Sequence, residues 1–402
     1  VKNLILLTLI GFIVFMATGV VGPITSLYYE SLGANYAAIG VLGTVMWLSS
    51  ILFSYLWGRA TDRLGRRKPF LVIGLLILSL TDLAIAWVTY YGYLFPLRAV
   101  AAAAQAAYNV TALALIGDML ERRQVHRGRY MGFYRGAGSL GFGLMAFVSG
   151  SLADRVSLSF PFVLASACLG VAGVLALFIR EASPQTLSNV LSRSSASFPD
   201  NSPSTAQAAA LPLLPLLISA FVWSLVTGAV YAVWANYMVD QVGYGRAAMS
   251  RLWSLASSSE FPLMIVAGWL SDRIGRLPML SLSLVAWTLV FVGYIVTPHM
   301  PWILIVQLMR GFAYSAFTAT AMTYAAEVRD KSQRGRVSGL YGTAGGVGSI
   351  LGSAMGGGIT QWLGFGPMIG ISATLTMVGA IYSGIEAGRH RRIIANHRRP
   401  MQ

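Results

Sequence analysis

Twelve apolar runs, each about the length of a bilayer crossing, follow one another with few charges between them. They fall at roughly 4–27, 36–57, 69–90, 93–117, 131–152 and 160–179, then at 211–237, 247–267, 278–297, 301–325, 337–360 and 366–388. A transmembrane helix needs about 20 predominantly apolar residues. An outer-membrane barrel would instead show short segments of alternating polarity. A soluble fold is excluded by composition. Of 402 residues, 56% are hydrophobic and 11% charged, whereas a soluble domain carries about 25% charged residues and cannot hide so much apolar surface. The chain reads as an all-α, multi-pass protein of the cell membrane. Its first run is too long, and leads too directly into further spans, for a cleavable signal peptide.

The charges are few but ordered. Lys and Arg number 29 against 14 Asp and Glu, a net charge of +15. The basic residues cluster at 58–68, 121–129, 271–276 and 329–336 and in a tail at 389–399, whereas the alternate loops carry only Arg155 and Arg246. If the helices alternate, every basic cluster lies on one side. The positive-inside rule then places both termini in the cytoplasm and requires an even number of spans. Basic residues on short loops between apolar helices suit lipid headgroups and topology, not nucleic acid. A lone cysteine, Cys168, excludes an internal disulfide, and neither a CxxC nor a histidine cluster suggests a metal. No phosphate-binding GxxxxGK[ST] loop appears, so neither cofactor nor ATP is expected.

The chain repeats itself. "GRATDRLGRRK" at 58–68 returns 210 residues later as "GWLSDRIGRLP", so that Gly58, Asp62, Arg63, Gly65 and Arg66 align with Gly268, Asp272, Arg273, Gly275 and Arg276. At the same offset Glu30 aligns with Asp240. "RGRYMGFYRGAGSLG" from 127 returns as "RGRVSGLYGTAGGVG" from 334, and Arg98 returns as Arg310. Recurrence in order at near-constant offset marks a duplication. Residues 181–210, rich in Ser, Pro and Ala, read as a flexible cytoplasmic linker. They divide a six-helix bundle at 1–180 from a second at 211–388, with a basic cytoplasmic tail at 389–402.

Parallel six-helix repeats with a site between them are a known transporter architecture. On these motifs the chain resembles the major facilitator superfamily over nearly its whole length. The family's loop after helix 2, G-x-x-x-D-R-x-G-R-R/K, is complete through Arg67 and Lys68 and reduced in the second copy, where Leu277 and Pro278 replace the last basic pair. The resemblance implies two bundles that rock about a midplane cavity lined by helices 1, 4, 7 and 10, in a protein that works as a monomer. It also implies that the loop is a cytoplasmic latch, with Asp62 facing helix 11 and its arginines pairing with acids such as Asp118 or Glu121. The competing reading is a loop that only fixes topology. The reduced copy is expected to latch more weakly.

Intramembrane charges are the sharpest functional signal. Asp82 lies in mid-helix 3, Glu260 in mid-helix 8, and Arg98 and Arg310 lie just inside the ends of helices 4 and 10. A charge at a helix centre costs about 2.5–3.5 kcal/mol and so faces a cavity or a partner. Asp82 has no counterpart in the second half, and Glu260 aligns with Ser50. We expect Glu260, together with Asp82, to carry coupling protons; a structural pair of Asp82 with Arg98 is the alternative for that acid. Pro262 is expected to break helix 8 nearby. Gln105, Tyr108 and Asn109 on helix 4, Tyr231 and Trp234 on helix 7, and Gln307 and Tyr314 on helix 10 are the cavity candidates. Tyr28, Tyr29 and Tyr237 fit an interfacial belt. Glycines of helix 5 (Gly132, Gly136, Gly138, Gly141) and helix 11 (Gly348, Gly352, Gly356) fit either static packing or the moving interface between halves.

Aromatic and amide side chains suit a neutral or weakly polar organic solute. The expected function is secondary active transport, symport or antiport, driven by a proton gradient. A drug/proton antiporter exporting lipophilic compounds is the runner-up, although helix 5 lacks the Gly-Pro pair common in that branch. An enzyme acting on lipids would need clustered acids or a nucleophile at one membrane face, and the acids here are dispersed. A sensor that kept the fold would look the same in sequence, and counterflow in proteoliposomes separates it from a transporter.

Overall fold

The computed structural model describes residues 2–121, 127–179, 211–327 and 334–397. The linker at 181–210, parts of the basic loops and the last residues of the tail lie outside them. So do the side chains of Asp118 and Glu121, the acids expected to meet the first basic loop.

Among the described residues there are twelve long helices and no strand. α1 covers Lys2–Ser31, interrupted by a tight turn at Gly22–Ile24 where Pro23 cannot donate a backbone bond. α2 is Tyr36–Leu64, α3 Lys68–Ala86, α4 Leu94–Glu121, α5 Arg127–Arg155 and α6 Phe160–Leu177. α7 is Leu213–Asn236 and runs on into a wide turn at Tyr237–Gln241. α8 is Arg246–Ile274, α9 Arg276–Val296, α10 Trp302–Glu327, α11 Arg334–Leu363 and α12 Phe365–His397. Local chemistry sets several starts. The Asn35 side chain accepts from the Ala38 N–H at 2.8 Å to cap α2, and prolines occupy the first turns of α3 and α6.

The helices outrun the apolar runs. α2 continues through most of the first basic motif, leaving only residues 65–67 as the turn, and Gly65 takes the left-handed conformation (φ 61°) that ends it. α8 likewise runs to Ile274. It is not broken at Pro262, which sits inside a continuous helix. Single glycines with positive φ, Gly275 and Gly364, separate α8 from α9 and α11 from α12. Ten of the twelve helices are long and apolar enough to cross a membrane by composition alone. The other two are α8 and α11. α8 carries Arg246, Arg251, Glu260 and a run of serines, and α11 is rich in glycine. Polar helices of this kind are tolerated where neighbours cover them, and α8 packs on α5 and α10 while α11 packs on α7 and α2.

The duplication is visible in the packing. α1 packs on α5 and α6, as α7 does on α11 and α12. α4 packs on α2 and α3, as α10 does on α8 and α9, and α3 meets α6 as α9 meets α12. Between halves, α2 meets α11 and α5 meets α8, which is the same relation read from either side.

Among the described residues, the halves close at one end only. Away from the basic loops, Ile24, Tyr28, Tyr29, Ile39 and Leu42 join Val230, Trp234 and Tyr237 in one buried core. Nearer the basic loops each half keeps its own core, around Leu4, Leu71 and Leu120 in the first and Leu216, Phe317 and Tyr324 in the second. The far-end seam is polar as well as apolar. Asn236 donates to Glu30, Tyr36 Oη to Asp240 at 3.3 Å, and the Tyr36 N–H to Gln361 at 3.0 Å. Ser254 donates to the Gly143 carbonyl at 2.7 Å, and Arg246 pairs with Asp154 at 3.6 Å. Gly40 of α2 and Gly357 of α11 bring their backbones into contact, which a side chain at either would prevent. Gly58, Gly268, Gly335 and Gly339, at the basic ends of α2, α8 and α11, face open space.

One expectation changes here, and the open question of the glycine stripes is narrowed. Tyr28, Tyr29 and Tyr237 are buried in the inter-half core, not placed in an interfacial belt, because the closed seam covers their span ends. Tyr28 donates to the Ile85 carbonyl at 2.7 Å, and Tyr237 to that of Tyr294. Gly348, Gly352 and Gly356 pack against the α7 backbone within their own half, not across the interface between halves. In helix 5, Gly138 and Gly141 also face their own half, at Phe15 and Phe12, while Gly136 meets Phe261 of the other.

Candidate functional site

A cavity of about 860 Å³ opens between the halves, within the range of about 300–1,000 Å³ typical of small-molecule sites. Both halves line it. The first contributes Tyr29 from α1, Met46 and Trp47 from α2, Arg98, Tyr108 and Asn109 from α4, and Phe142 from α5. The second contributes Trp223 and Tyr231 from α7, Trp253 and Glu260 from α8, Trp287 from α9, and Arg310 and Tyr314 from α10.

Of the residues proposed from sequence, Arg98, Tyr108, Asn109, Tyr231, Glu260, Arg310 and Tyr314 thus line this one cavity. Trp234 and Gln307 do not reach it. Both are fully buried one layer behind, Trp234 edge-on to Trp253 at 5.2 Å between ring centres and Gln307 one turn from Arg310. Gln105 also lies off the wall, donating to Asn109 at 3.2 Å. Asp82 is buried outside the lining, where the charge of Arg98 reaches it without an ion pair. Tyr29, Trp47, Phe142, Trp253 and Trp287 were not foreseen in the cavity. All but Tyr29 sit on helices outside the four expected to line it, Trp47 on α2, Phe142 on α5, Trp253 on α8 and Trp287 on α9. The signal for Trp253 was its place on the same helix as Glu260, two turns earlier.

The second-half wall is built around Arg310, which is 7% exposed. Its guanidinium carbon lies 4.5 Å from the ring centre of Tyr231, 4.7 Å from Trp253 and 5.8 Å from Trp234. Stacked rings stabilise a cation withdrawn from water. The neighbouring rings brace one another: Tyr231 meets Trp253 at 5.7 Å, and Trp223 stacks on Phe317 at 4.4 Å. Glu260 feels the charge of Arg310 across the wall, and Ser315 of α10 holds its backbone carbonyl at 2.9 Å. Among the described residues, none of Asp82, Arg98, Glu260 and Arg310 forms an ion pair. With one carboxylate and two guanidinium groups on its wall, the cavity can bind a polar organic molecule and present it with a group able to exchange a proton.

The two basic motifs stand apart from the cavity and differ from each other. In the first, Asp62, Arg63, Gly65 and Arg66 are exposed, Arg67 and Lys68 half-buried, and Gly58 touches nothing across the gap. In the second, Arg276 grips Glu327 of α10 through two hydrogen bonds of 2.8 and 2.9 Å and Asp272 at 2.6 Å. Arg273 lies over the Trp269 ring at 3.9 Å. The reduced copy, expected to latch more weakly, therefore holds a close ion network, inside its own half.

The sequence model of the MFS_1 like family matches residues 4–368. An uncharacterized MFS-type transporter of Methanocaldococcus jannaschii is 23% identical over 402 residues, covering 96% of this chain and 99% of the relative. Multidrug resistance protein 2 of Bacillus subtilis is 24% identical over 86% of each chain. Among solved structures, a point mutant of the nucleoside transporter NupG superposes with a TM-score of 0.77 at 16% identity, over 96% of this chain and 99% of that one.

Proposed function

The chain belongs to the MFS_1 like family, a family of multi-pass membrane transporters, and on that premise we propose that it is a proton-coupled secondary transporter of a small organic solute. The observation that carries this reading is a cavity walled by both halves, with Glu260 among its lining residues. Closure at one end and separation at the other describe one state of an alternating-access cycle. With the basic loops and termini in the cytoplasm, this state opens inward. The Gly58 motif, exposed at the open end, then belongs to a latch that closes in the opposite state. Every cavity wall comes from one chain, so a monomer suffices. Proton movement along its gradient supplies the energy, and Glu260 is the carrier. Asp82, off the wall and near Arg98, fits a supporting electrostatic role.

The test uses purified protein in proteoliposomes. A thermostability screen across sugars, nucleosides, aromatic acids and cationic drugs supplies the solute. Counterflow of that solute is expected in the wild type. Glu260→Gln is expected to retain counterflow and to lose accumulation driven by a pH gradient by at least about 100-fold. Absence of counterflow in the wild type would refute transport, and undiminished accumulation in the variant would refute the role of Glu260.

A further inference from the structure

Arg98 and Arg310, equivalent residues of the internal repeat, face the same cavity, and neither has its hydrogen bonds met by protein. A guanidinium carries five N–H donors and no acceptor. Among the described residues, the side-chain donors of Arg310 reach one acceptor, Gln307 Oε1, at a long 3.5 Å. Those of Arg98 reach only the sulfur of Met46, a weak acceptor, at 3.8 Å. The rings around Arg310 soften the cost of its charge but supply no lone pairs in the guanidinium plane. Buried donors without acceptors are costly unless something completes them.

We propose that the solute is an organic monoanion, a carboxylate on an aromatic or apolar body, whose anionic group binds Arg310, with Arg98 as the second cation of the cavity, on the wall of the other half. The inference rests on the transport reading for its purpose and on the cavity alone for its chemistry. A carboxylate offers about four lone-pair sites to guanidinium forks. The indole and phenyl faces of Trp223, Trp253 and Phe142 cover the body. A cationic solute would meet two like charges against one carboxylate. A neutral solute would leave the donors weakly matched, and a site built on unmet donors discriminates strongly against ligands that lack the acceptor.

The experiment is calorimetric binding to the detergent-purified full chain of three matched probes: 2-naphthoate, 2-naphthamide and 2-naphthylmethylammonium. Naphthoate is expected to bind at least about tenfold tighter than the amide, with no binding of the ammonium. Arg310→Gln is expected to weaken naphthoate at least about tenfold, with partial recovery in Arg310→Lys. Arg389→Gln, in the exposed tail, should change nothing. A thermal scan checks that each variant folds; should Arg310→Gln fail it, Arg310→Lys and Arg98→Gln carry the test. Failure of naphthoate to bind, binding of the amide or ammonium as tight as that of naphthoate, or indifference to the arginines would overturn the proposal. Naphthoate that binds but shows no counterflow would refute transport and leave the anion site standing. Counterflow of a neutral or cationic solute without naphthoate binding would do the reverse.

Discussion

Arg98 and Arg310 began as one residue and now occupy different surroundings. Arg310 is buried among Tyr231, Trp253 and Trp234, with Glu260 acting on it from the next helix of the wall. Arg98 is half-buried, lies 5.6 Å from the ring centre of Tyr29, and has a methionine sulfur as its polar contact. Helix order and packing were preserved through the duplication, while the residues around each arginine diverged. The second half has become the more elaborated wall and the first its simpler counterpart. The scaffold is therefore symmetric and the chemistry is not.

That asymmetry is open to direct measurement. The largest difference is expected between the arginines themselves: Arg310→Gln weakens naphthoate binding by about 100-fold and Arg98→Gln by about tenfold. Equal losses in calorimetry would mean that the two walls contribute alike. Next come the rings behind them. Trp253→Ala is expected to weaken binding by about tenfold, since it uncovers one face of Arg310, and Tyr29→Leu by about threefold. The reverse order would move the main anchor to the first half. The smallest effect concerns the basic motifs. Arg276→Ala should lower the melting temperature by about 1–3 °C through loss of its paired contacts with Glu327 and Asp272, and Arg66→Ala should leave it within about 1 °C. A larger loss from Arg66→Ala would show the first motif engaged in the resting protein.

The duplication and the helix count could be read directly, because apolar length and motif spacing are local properties of a sequence. For the intramembrane charges only the general expectation of a cavity or a partner was legible, since a charge inside a membrane has few places to go; that Arg98, Glu260 and Arg310 line the cavity while Asp82 does not depends on the packing of the helices. Failures came where the answer depends on which helices face each other. Tyr29 carries no mark that separates a belt residue from a seam residue; which end of the bundle is closed decides it. The spacing of Gly348, Gly352 and Gly356 announces a close neighbour but does not say that α7, in the same half, is that neighbour. Trp234 and Trp253 are both tryptophans within long helices, and only the rotation of each helix puts Trp253 on the wall and Trp234 behind it.

The single-glycine turns at Gly275 and Gly364 bear on how this chain enters its membrane. The two helices too polar to qualify alone, α8 and α11, are each joined by one residue to a strongly apolar successor, α9 and α12. The hairpin is then the unit that partitions, and the free energy of the apolar arm carries the polar one. Glu260 thus lies on a helix whose own composition falls short of the other spans and whose partner arm makes up the difference, and lengthening the Gly275 turn is expected to impair assembly before it touches transport.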